Sequence, residues 1–311
     1  MRFPSSGLWT DGRGRAHWCL ASSGMKRPVL APGLRVLRHT RDQLQVGLDP
    51  ERRVRLPDTE PVRRTLGQLL RGEAVPADAG TGPVLEKLSG VLVEGEGLIA
   101  SGFSDGDVAA AALLDPASYP ARLAARRSAT VGVRGSLGPV DPEPLLTAAG
   151  VRVGPDPTHV LVLAVGEVDR GDLDPLVRDG LPHVVVRMVE GSAVIGPFVD
   201  PGRTACLRCL DAHVAIHDPH AATLPTLHAR AAGDRHDGVA EPVDTALATL
   251  AVSWAVRDLV THVEGDRPST WSATVRVSAG LRSVVQTEWL RHPACGCGWL
   301  RDEAASRTME A

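Results

Sequence analysis

The stretch from Val194 to His213 has the sequence VIGPFVDPGRTACLRCLDAH, and it ends in a close cysteine pair, Cys206 and Cys209. A second pair, Cys295 and Cys297, lies 86 positions further on, in RHPACGCGW. Each pair can present two sulfurs from a tight turn, and soft thiolates favour zinc. The separation is far beyond that of a zinc finger. We therefore predict one structural zinc site that joins distant parts of a domain.

Two other interpretations of these cysteines are two disulfides or four unrelated buried thiols. Cys295 and Cys297 are too close for easy mutual pairing, and the N-terminus lacks the apolar core of an export signal. No apolar run approaches the length of a membrane span. We therefore expect a cytoplasmic protein without membrane contact. A closed shell of four sulfurs leaves no open position, so the metal would hold structure and carry out no chemistry.

The composition excludes few functions. The chain has 311 residues, of which 43% are hydrophobic, enough for two domains with cores. A formal charge of -3 gives no overall attraction to nucleic acid or anionic membrane. Lys26 and Lys87 are the only lysines among 34 basic residues.

Changes in pattern predict the domain boundaries. Residues 1–24 lack periodicity and are predicted to be a disordered tail, which makes Met25 an alternative start to Met1 and leaves Cys19 without a role. A small α+β domain over 25–101 and a linker over 102–126 come next. A larger α/β domain then spans 127–300, and 301–311 form a C-terminal tail.

The 25–101 segment has the element order of a winged helix-turn-helix. Short strands are predicted near 34–37, 44–48 and 54–56, then a helix capped by Asp58 or Thr59, and a second helix over 84–93. A DNA-reading helix needs cations, but the segment that carries the second helix, PVLEKLSGVLVEG (83–95), has one Lys against two Glu. We therefore favour peptide recognition over DNA binding.

The strands and the first helix are basic, because residues 26–72 carry an excess of six positive charges. Such a face suits an acidic, extended peptide that adds beside a strand, although a plain solvated basic face fits equally well. The candidate peptide-binding residues are Arg52, Arg53, Val54, Arg55, Leu56, Leu85 and Leu88.

The 127–300 segment alternates strands and helices. The buried runs ATVGVRGS (129–136), HVLVLAV (159–165) and HVVVRM (183–188) predict a parallel sheet of Rossmann type. Three glycines, Gly132, Gly135 and Gly138, occur where a nucleotide fold would wrap phosphates. Their spacing is wrong for that motif, and two prolines disturb the helix start that would follow. We interpret them as a degenerate nucleotide loop.

Acidic residues follow the third of these predicted strands. Glu167, Asp169 and Asp172 are available for magnesium, although loop acids without a metal are more common. Further on, a long helix from Asp244 to about Glu264 is apolar on more than one face, which fits either core packing or a dimer interface. Segments 269–278 and 281–290 alternate and predict a hairpin that returns the chain to the second cysteine pair.

Taken in order, VIGPFVDPGRTACLRCLDAH, the long helix, two strands and RHPACGCGW resemble the ubiquitin-activating-enzyme-like (ThiF-like) proteins of thiazole and oxazole peptide biosynthesis. The resemblance covers Arg127 to Leu300. It implies a degenerate Rossmann-like domain with Cys206, Cys209, Cys295 and Cys297 on zinc, and a homodimer. By element order, the N-terminal unit resembles the peptide-recognition element that grips the leader of a precursor in such systems.

The resemblance implies a function shared between two proteins. Its members present a ribosomal precursor peptide to a YcaO-type enzyme, which spends ATP to cyclise Cys, Ser or Thr side chains. These 311 residues contain no YcaO-like segment, so we expect the recognition half of a cyclodehydratase, without catalytic residues of its own.

Two alternative functions remain. An active ThiF-like adenylyltransferase needs a glycine loop, an Asp for magnesium and cations for phosphate, yet no lysine follows Lys87. We therefore do not expect ATP binding. A winged-helix transcription regulator is the second alternative, and the weakly charged second helix argues against it.

Overall fold

The computed structural model describes residues 9–10, 16–17, 28–76, 78, 80–95, 103–231 and 239–298, and the chain divides into two units, 1–124 and 125–311. Most of the predicted N-terminal tail lies outside the described residues, as does the whole C-terminal tail, 301–311. Within the N-terminal stretch, β1 (Trp9–Thr10) and β2 (Ala16–His17) pair antiparallel.

The first unit contains two small sheets and several helices. Its elements are β3 (Pro28–Leu30), β4 (Val36–Arg38), β5 (Gln43–Val46), β6 (Val54–Pro57), α1 (Glu60–Arg71), α2 (Gly82–Leu88), β7 (Leu92–Glu94), α3 (Asp105–Leu114) and α4 (Tyr119–Ser128), the last of which ends beyond residue 124. Strands β4, β5 and β6 form an antiparallel sheet in that order, and β3 pairs antiparallel with β7.

Local signals explain the first helix of this unit, but not the end of the second. Thr59 is the N-cap residue of α1, with Pro61 in the first turn, as predicted. The prediction that the second helix continues to residue 93 was wrong. It stops at Leu88, and after a 3₁₀ turn Leu92–Glu94 pairs with β3. Pairing with a strand 62–66 positions away outweighs the helical spacing of the apolar residues.

The segment predicted as a linker contributes to the core of the first unit. In α3 and α4, Val108, Ala112 and Tyr119 are buried against Ala31 and Val93. The Tyr119 hydroxyl donates a hydrogen bond to the Glu94 carbonyl at 3.0 Å. These contacts join the two helices to the β3–β7 pair.

The second unit is built on one seven-stranded sheet. Its elements are β8 (Thr130–Gly135), α5 (Glu143–Ala148), β9 (Arg152–Val153), β10 (His159–Val165), α6 (Arg170–Arg178), β11 (His183–Val189), β12 (Ser192–Val199), α7 (Leu207–Ala215), α8 (Leu224–Ala231), α9 (Thr245–Val263), β13 (Ala273–Val277) and β14 (Val284–Glu288). The strand order is β14-β13-β12-β11-β10-β8-β9.

This sheet is mixed, whereas the sequence pattern predicted a parallel sheet. Strands β9, β8, β10 and β11 run parallel, whereas β12, β13 and β14 continue the sheet antiparallel. The direction reverses at the hairpin between β11 and β12, where Glu190 and Gly191 both have positive φ, 51° and 77°. Two residues with positive φ make the tight turn that antiparallel hairpins prefer. The predicted hairpin of β13 and β14 is confirmed.

Helices cover both faces of the sheet. Helix α9 packs on one face with a wide apolar surface that includes Ala251, Val252, Ala255 and Leu259, so core packing accounts for much of its apolar character. Its N-cap is Asp244, as predicted, and the carboxylate accepts the Leu247 N–H at 2.8 Å. The opposite face packs against α6, α7 and the four buried cysteines. Among the described helices, none is long and apolar enough to cross a membrane.

Candidate functional site

The first cysteine pair lies at the start of α7. Just before it, the Asp200 N–H donates to the Thr204 hydroxyl at 2.8 Å and fixes the turn after β12. Cys206 is the N-cap residue of α7, and the Cys209 N–H donates to the Cys206 carbonyl at 2.9 Å. Residues three apart at a helix start lie on one side of the helix. The turn and the helix therefore direct both sulfurs to the same place.

The second pair approaches from the other end of the unit. After β14 the chain turns, the Cys295 N–H donates to the His292 carbonyl at 2.9 Å, and a 3₁₀ segment, Gly296–Gly298, carries Cys297. All four cysteines are buried and free. The β13–β14 hairpin thus brings together two pairs that are far apart in the sequence.

The four sulfurs form one compact cluster. The Sγ–Sγ distances are 3.8 Å for Cys206–Cys209, 3.6 Å for Cys206–Cys295 and 3.5 Å for Cys209–Cys297. Sulfurs in a disulfide lie about 2.05 Å apart. A tetrahedron with metal–sulfur bonds of about 2.3 Å has edges of about 3.8 Å. The cluster can therefore hold a metal ion, and it is the one such group among the described residues. The interpretations as disulfides or unrelated thiols were wrong.

Hydrogen bonding among the sulfurs redistributes their protons. The hydrogen bond from the Cys206 thiol lowers the pKa of Cys209, and contact with Cys206 lowers the pKa of Cys295 to about 7. Hydrogen bonding with Cys209 and the other thiols, followed by burial, raises the pKa of Cys206. For Cys297, contact with Cys206 lowers the pKa, but Cys209, Cys295 and burial together raise it above its ordinary value. Metals bind thiolates, so a cation held by the cluster would stabilise the deprotonated form of these sulfurs.

A buried ionic network ties α7 to the sheet. The guanidinium of Arg170, at the start of α6, donates to both carboxylate oxygens of Asp211 on α7, at 2.9 and 3.0 Å. Arg170 also reaches Glu167 at 3.0 Å, and Arg187 from β11 contacts both Glu167 oxygens at 2.7 Å. This network fixes the helix that carries the first cysteine pair.

Two of the three acids considered for magnesium, Glu167 and Asp169, are paired with arginines. Burial alone would raise the pKa of Glu167, but Arg187 and Arg170 lower it below its ordinary value. Asp169 accepts the Gly171 N–H at the start of α6 and pairs with Arg230 at 2.9 Å. The carboxylate oxygens of Glu167 and Asp169 therefore already bind arginine side chains and, for Asp169, the Gly171 N–H at the start of α6.

The glycine loop has a packing role in β8. Gly135 has φ of 78°, and a Cβ there would lie 2.0 Å from the Leu163 carbonyl oxygen on β10. Gly132 lies within β8, where a Cβ would meet Pro157 at 3.1 Å, and Gly138 turns the chain with φ of 66°. The close approach of β8 and β10 therefore explains Gly135 without any ligand.

A cavity of about 380 Å³ adjoins this loop. Gly135 and Gly138 line it, whereas Gly132 does not. Its described lining includes the acids Asp141 and Glu143 and no lysine or arginine. Carboxylates repel phosphate, so the chemistry of this cavity is unfavourable for ATP.

The predicted peptide-binding residues separate into two groups. Arg52, Arg53 and Val54 line a cavity of about 710 Å³, the β6 cleft, which lies between the start of β6 and α2 and also includes Lys87. The remaining lining residues are Glu51, Pro83, Glu86, Ser89, Gly90 and Val91.

The other predicted residues lie away from that cleft. Leu56, Leu85 and Leu88 are 2%, 6% and 0% exposed, and they form the core beneath it. Arg55 is exposed, and its guanidinium donates to the Gln45 amide oxygen at 3.3 Å.

Strand β6 has one unpaired edge among the described strands, because only β5 lies beside it. The Asp58 N–H donates to the Asp42 carbonyl at 2.7 Å, and this bond shows which residues of β6 direct their backbone groups to β5. Backbone groups alternate in direction along a strand, so those of Val54 and Leu56 face β5. The backbone N–H and C=O of Arg55 therefore point to the open edge, where they can pair with another strand.

The sequence analysis missed the two buried arginines, Arg170 and Arg187. A signal for Arg187 was present, since it interrupts the apolar run HVVVRMV in a strand predicted to be buried. A buried guanidinium requires a carboxylate partner. Glu167 was therefore more plausibly a structural partner than a magnesium ligand.

Solved structures share this fold at low sequence identity. The heterocyclase TruD has 17% identity and a TM-score of 0.66, over 90% of this chain and 44% of that one. A heterocyclase in complex with substrate and cofactor has 16% identity and a TM-score of 0.63, over 87% and 39%. The chain therefore spans less than half the length of these two proteins.

A third structure matches along nearly its whole length. E. coli MccB with MccA-N7isoASN has 12% identity and a TM-score of 0.60, over 87% of this chain and 99% of that one. No protein-family profile matches the sequence, and no curated protein matches it. At these identities, the likeness establishes a common fold.

Proposed function

We propose that this protein binds the leader of a ribosomally made precursor peptide and presents the precursor to a separate YcaO-type enzyme, which forms azolines with ATP. The observation that carries this proposal is the unpaired edge of β6 beside the β6 cleft. An extended peptide binds such an edge as an added strand, with backbone hydrogen bonds for affinity and side-chain pockets for selection.

The cleft defines what the peptide offers. The backbone N–H and C=O of Arg55 pair with the peptide backbone, and alternate peptide side chains point toward α2. Arg52, Arg53 and Lys87 line the cleft with three positive charges against two acids, Glu51 and Glu86. A leader with acidic and apolar residues in alternation is therefore the preferred ligand.

In this proposal the second unit is a ThiF-like scaffold without catalysis. Zinc on the four cysteines joins α7 to the segment after β14, and its closed shell leaves no position for water or substrate. The acids beside the glycine loop oppose phosphate binding. Free, clustered thiols suit a reducing compartment such as the cytoplasm. Pairing of two copies belongs to the same proposal.

The common fold supports the proposal without establishing it. TruD is described as a heterocyclase, and MccB has been solved together with MccA-N7isoASN. Proteins of one fold often differ in activity, so the function rests on the site.

Peptide binding is tested by fluorescence anisotropy with precursor peptides encoded beside the gene. Arg52 and Arg53 line the cleft, and Arg55 lies on the strand whose open edge the peptide would pair with. Reversing charge at all three together should weaken binding about 10- to 100-fold, from about 0.5–1 kcal/mol per charge. Zinc content and secondary structure should be unchanged. Equal affinity of the variant and the parent protein would place the peptide elsewhere.

A matched control separates the cleft from general electrostatics. Reversing Arg35, Arg38 and Arg41 makes the same charge change around β4, the opposite edge of the three-stranded sheet. This control should lower affinity less than threefold. Comparable losses in both triple variants would indicate a diffuse basic face with no defined cleft.

An active adenylyltransferase is the second candidate, because MccB with bound ATP shares the fold, with a TM-score of 0.58 at 11% identity. The test is ATP–pyrophosphate exchange on zinc-loaded protein with and without the peptides. Peptide-dependent exchange would establish that candidate. Saturable peptide binding without exchange supports the recognition protein. Absence of binding to duplex DNA at low salt would remove the transcription regulator.

A further inference from the structure

The seven-stranded sheet of the second unit ends in an exposed edge strand, β14. All five of its residues are exposed, and only β13 lies beside it among the described strands. Four large apolar side chains in and next to β14 are more than half exposed: Leu281, Val284, Val285 and Leu290. An apolar strand with an unpaired edge is a template for the addition of another strand.

The usual protection of an edge strand is missing from β14. Native edges are commonly blunted by Lys, Pro, a bulge or a very short strand. Residues 284–287 contain no charge and no proline, and the register between β13 and β14 shows no bulge. The opposite edge of the described sheet, β9, is only two residues long. Of these two edges, β14 is therefore the one that is open to a partner strand.

Hydrogen bonds to β13 show which backbone groups of β14 face the open edge. The Trp289 N–H donates to the Ser272 carbonyl at 2.7 Å, and the Ser283 carbonyl accepts the Ser278 N–H at 3.0 Å. Because backbone groups alternate in direction along a strand, odd-numbered residues of this segment face β13. The even-numbered residues of β14 face outward: Val284, Gln286 and Glu288.

These directions restrict how two copies of β14 can pair. In an antiparallel pair, opposed residues both face the shared edge or both face away from it, so a two-fold axis must pass through a residue. An axis at Val285 places Arg282 opposite the partner's Glu288, and symmetry repeats this pair. An axis at Val284 places Arg282 opposite the partner's Gln286. An axis at Gln286 places Val284 opposite the partner's Glu288, so neither neighbouring axis joins opposite charges.

Both charged residues are available for this contact. Arg282 lies in the turn before β14, Glu288 is the last residue of the strand, and both are exposed. Neither forms an ion pair with another residue in the part of the chain that the structure describes. Opposite charges directly across two strands stabilise their pairing, and like charges destabilise it. One edge of the chain therefore carries two charges that the same edge of a second copy complements.

We propose that two copies of this chain pair through β14, as antiparallel strands about a two-fold axis at Val285. Val284 exchanges backbone hydrogen bonds with the partner's Gln286, and Arg282 forms an ion pair with the partner's Glu288. The two sheets then join into one, as when a strand adds to an open edge. This interface rests on the pairing of two copies in the proposed function and names the surface that the pairing uses.

The size of the interface sets the expected affinity. A standard interface involves about 20–30 residues a side, whereas the paired segment 282–288 has seven. We therefore expect a weak dimer, with a Kd on the order of 10 µM. The measurement is sedimentation velocity of the zinc-loaded full chain from micromolar to millimolar concentration. A chain that stays monomeric throughout overturns the proposal.

Charge reversal identifies the surface. Arg282→Glu and Glu288→Arg each replace two ion pairs by two like-charge contacts, so each should weaken the dimer about 5- to 30-fold. The control Arg152→Glu makes the same charge change on β9, at the opposite edge of the sheet, and should alter Kd less than about twofold. A dimer that Arg282→Glu leaves unchanged uses another surface, which overturns the proposal.

Mixing the two variants tests the register. Arg282→Glu and Glu288→Arg carry complementary charges, so an equal mixture should form a heterodimer with a Kd within about threefold of that of the parent dimer. Native mass spectrometry separates the heterodimer from the two homodimers. A mixture without preference for the heterodimer overturns the pairing at Val285.

Leader binding is measured on the same variants to separate this interface from the proposed function. Arg282→Glu should leave the affinity for the leader unchanged, because the β6 cleft has no lining residue in β14. Reversal of the cleft arginines should in turn leave the dimer Kd unchanged. Loss of leader binding in Arg282→Glu would show that the two surfaces are not separate and would overturn the proposal in this form.

Discussion

Glu167→Gln tests whether the buried ionic network holds the second unit together. In the protein, Arg187 is 6% exposed, its Nε has no partner among the described residues, and its terminal nitrogen contacts both oxygens of Glu167. The substitution removes the negative charge and leaves the guanidinium buried. Losing one member of a buried ion pair costs about 3–5 kcal/mol.

The expected loss lies at the lower end of that range. The glutamine oxygen still accepts one hydrogen bond, and Arg170 keeps its partner Asp211. We therefore expect the free energy of unfolding to fall by about 3 kcal/mol. For a unit of this size, with about 2–4 °C per kcal/mol, the melting temperature should fall by about 6–12 °C.

The assay is urea unfolding followed by tryptophan fluorescence. Of the six tryptophans, Trp9 and Trp18 belong to the first unit and the other four to the second, so most of the signal reports on the second unit. The control Asp172→Asn makes the same charge change at an exposed acid of α6 and should cost less than about 1 kcal/mol. A loss below 1 kcal/mol for Glu167→Gln, or equal losses in both variants, would refute the structural role of the network.

The pH dependence has a defined sign. The folded-state pKa of Glu167 lies below its ordinary value of 4.5, because Arg187 and Arg170 outweigh the effect of burial. Its stabilising contribution is therefore complete above that value and is lost as the pH falls through the folded-state pKa. The stability difference between the parent protein and Glu167→Gln should be constant near neutrality and shrink in acid. A difference that grew in acid would contradict the assignment.

The remaining predictions concern the metal cluster and the glycine loop. Cys209→Ser should release zinc, measured by mass spectrometry of the metal, and lower the melting temperature, whereas Cys19→Ser should leave one zinc per chain. An unaltered melting curve for Cys209→Ser would contradict a stabilising metal. Gly135→Ala should destabilise the second unit by more than about 2 kcal/mol in urea unfolding, because a Cβ there lies 2.0 Å from the Leu163 carbonyl oxygen. Gly138→Ala, which also has positive φ but open space around it, should cost only about 1 kcal/mol, and equal costs would show that the close approach is unimportant.

Where local chemistry was decisive, the sequence was sufficient. The cysteine spacing predicted one four-sulfur cluster, because two close pairs with no export signal leave few alternatives to a shared metal. The predicted N-cap position at Asp58 or Thr59, the predicted cap Asp244 and the apolar runs of β8, β10 and β11 matched the elements that form, although the Thr59 side chain makes no capping hydrogen bond. The identity of the metal stays a prediction.

Long-range contacts decided the rest. The helical spacing after Leu88 gives way to a strand because β3 is available to pair with it. Glu167, after β10, is paired with Arg187 from β11 and Arg170 from α6, and Asp169 is paired with Arg230 from α8. No local pattern shows which charges a fold will bring together.

By itself, the sequence determined what depends on neighbours along the chain: the helix caps, the strand runs and the four thiolates that suit a metal. Only the tertiary structure decided which edge of β6 is open, and which predicted residues line the cleft and which lie beneath it. The physical reason is that exposure and pairing are set by segments distant in sequence, whose contacts no local residue pattern encodes.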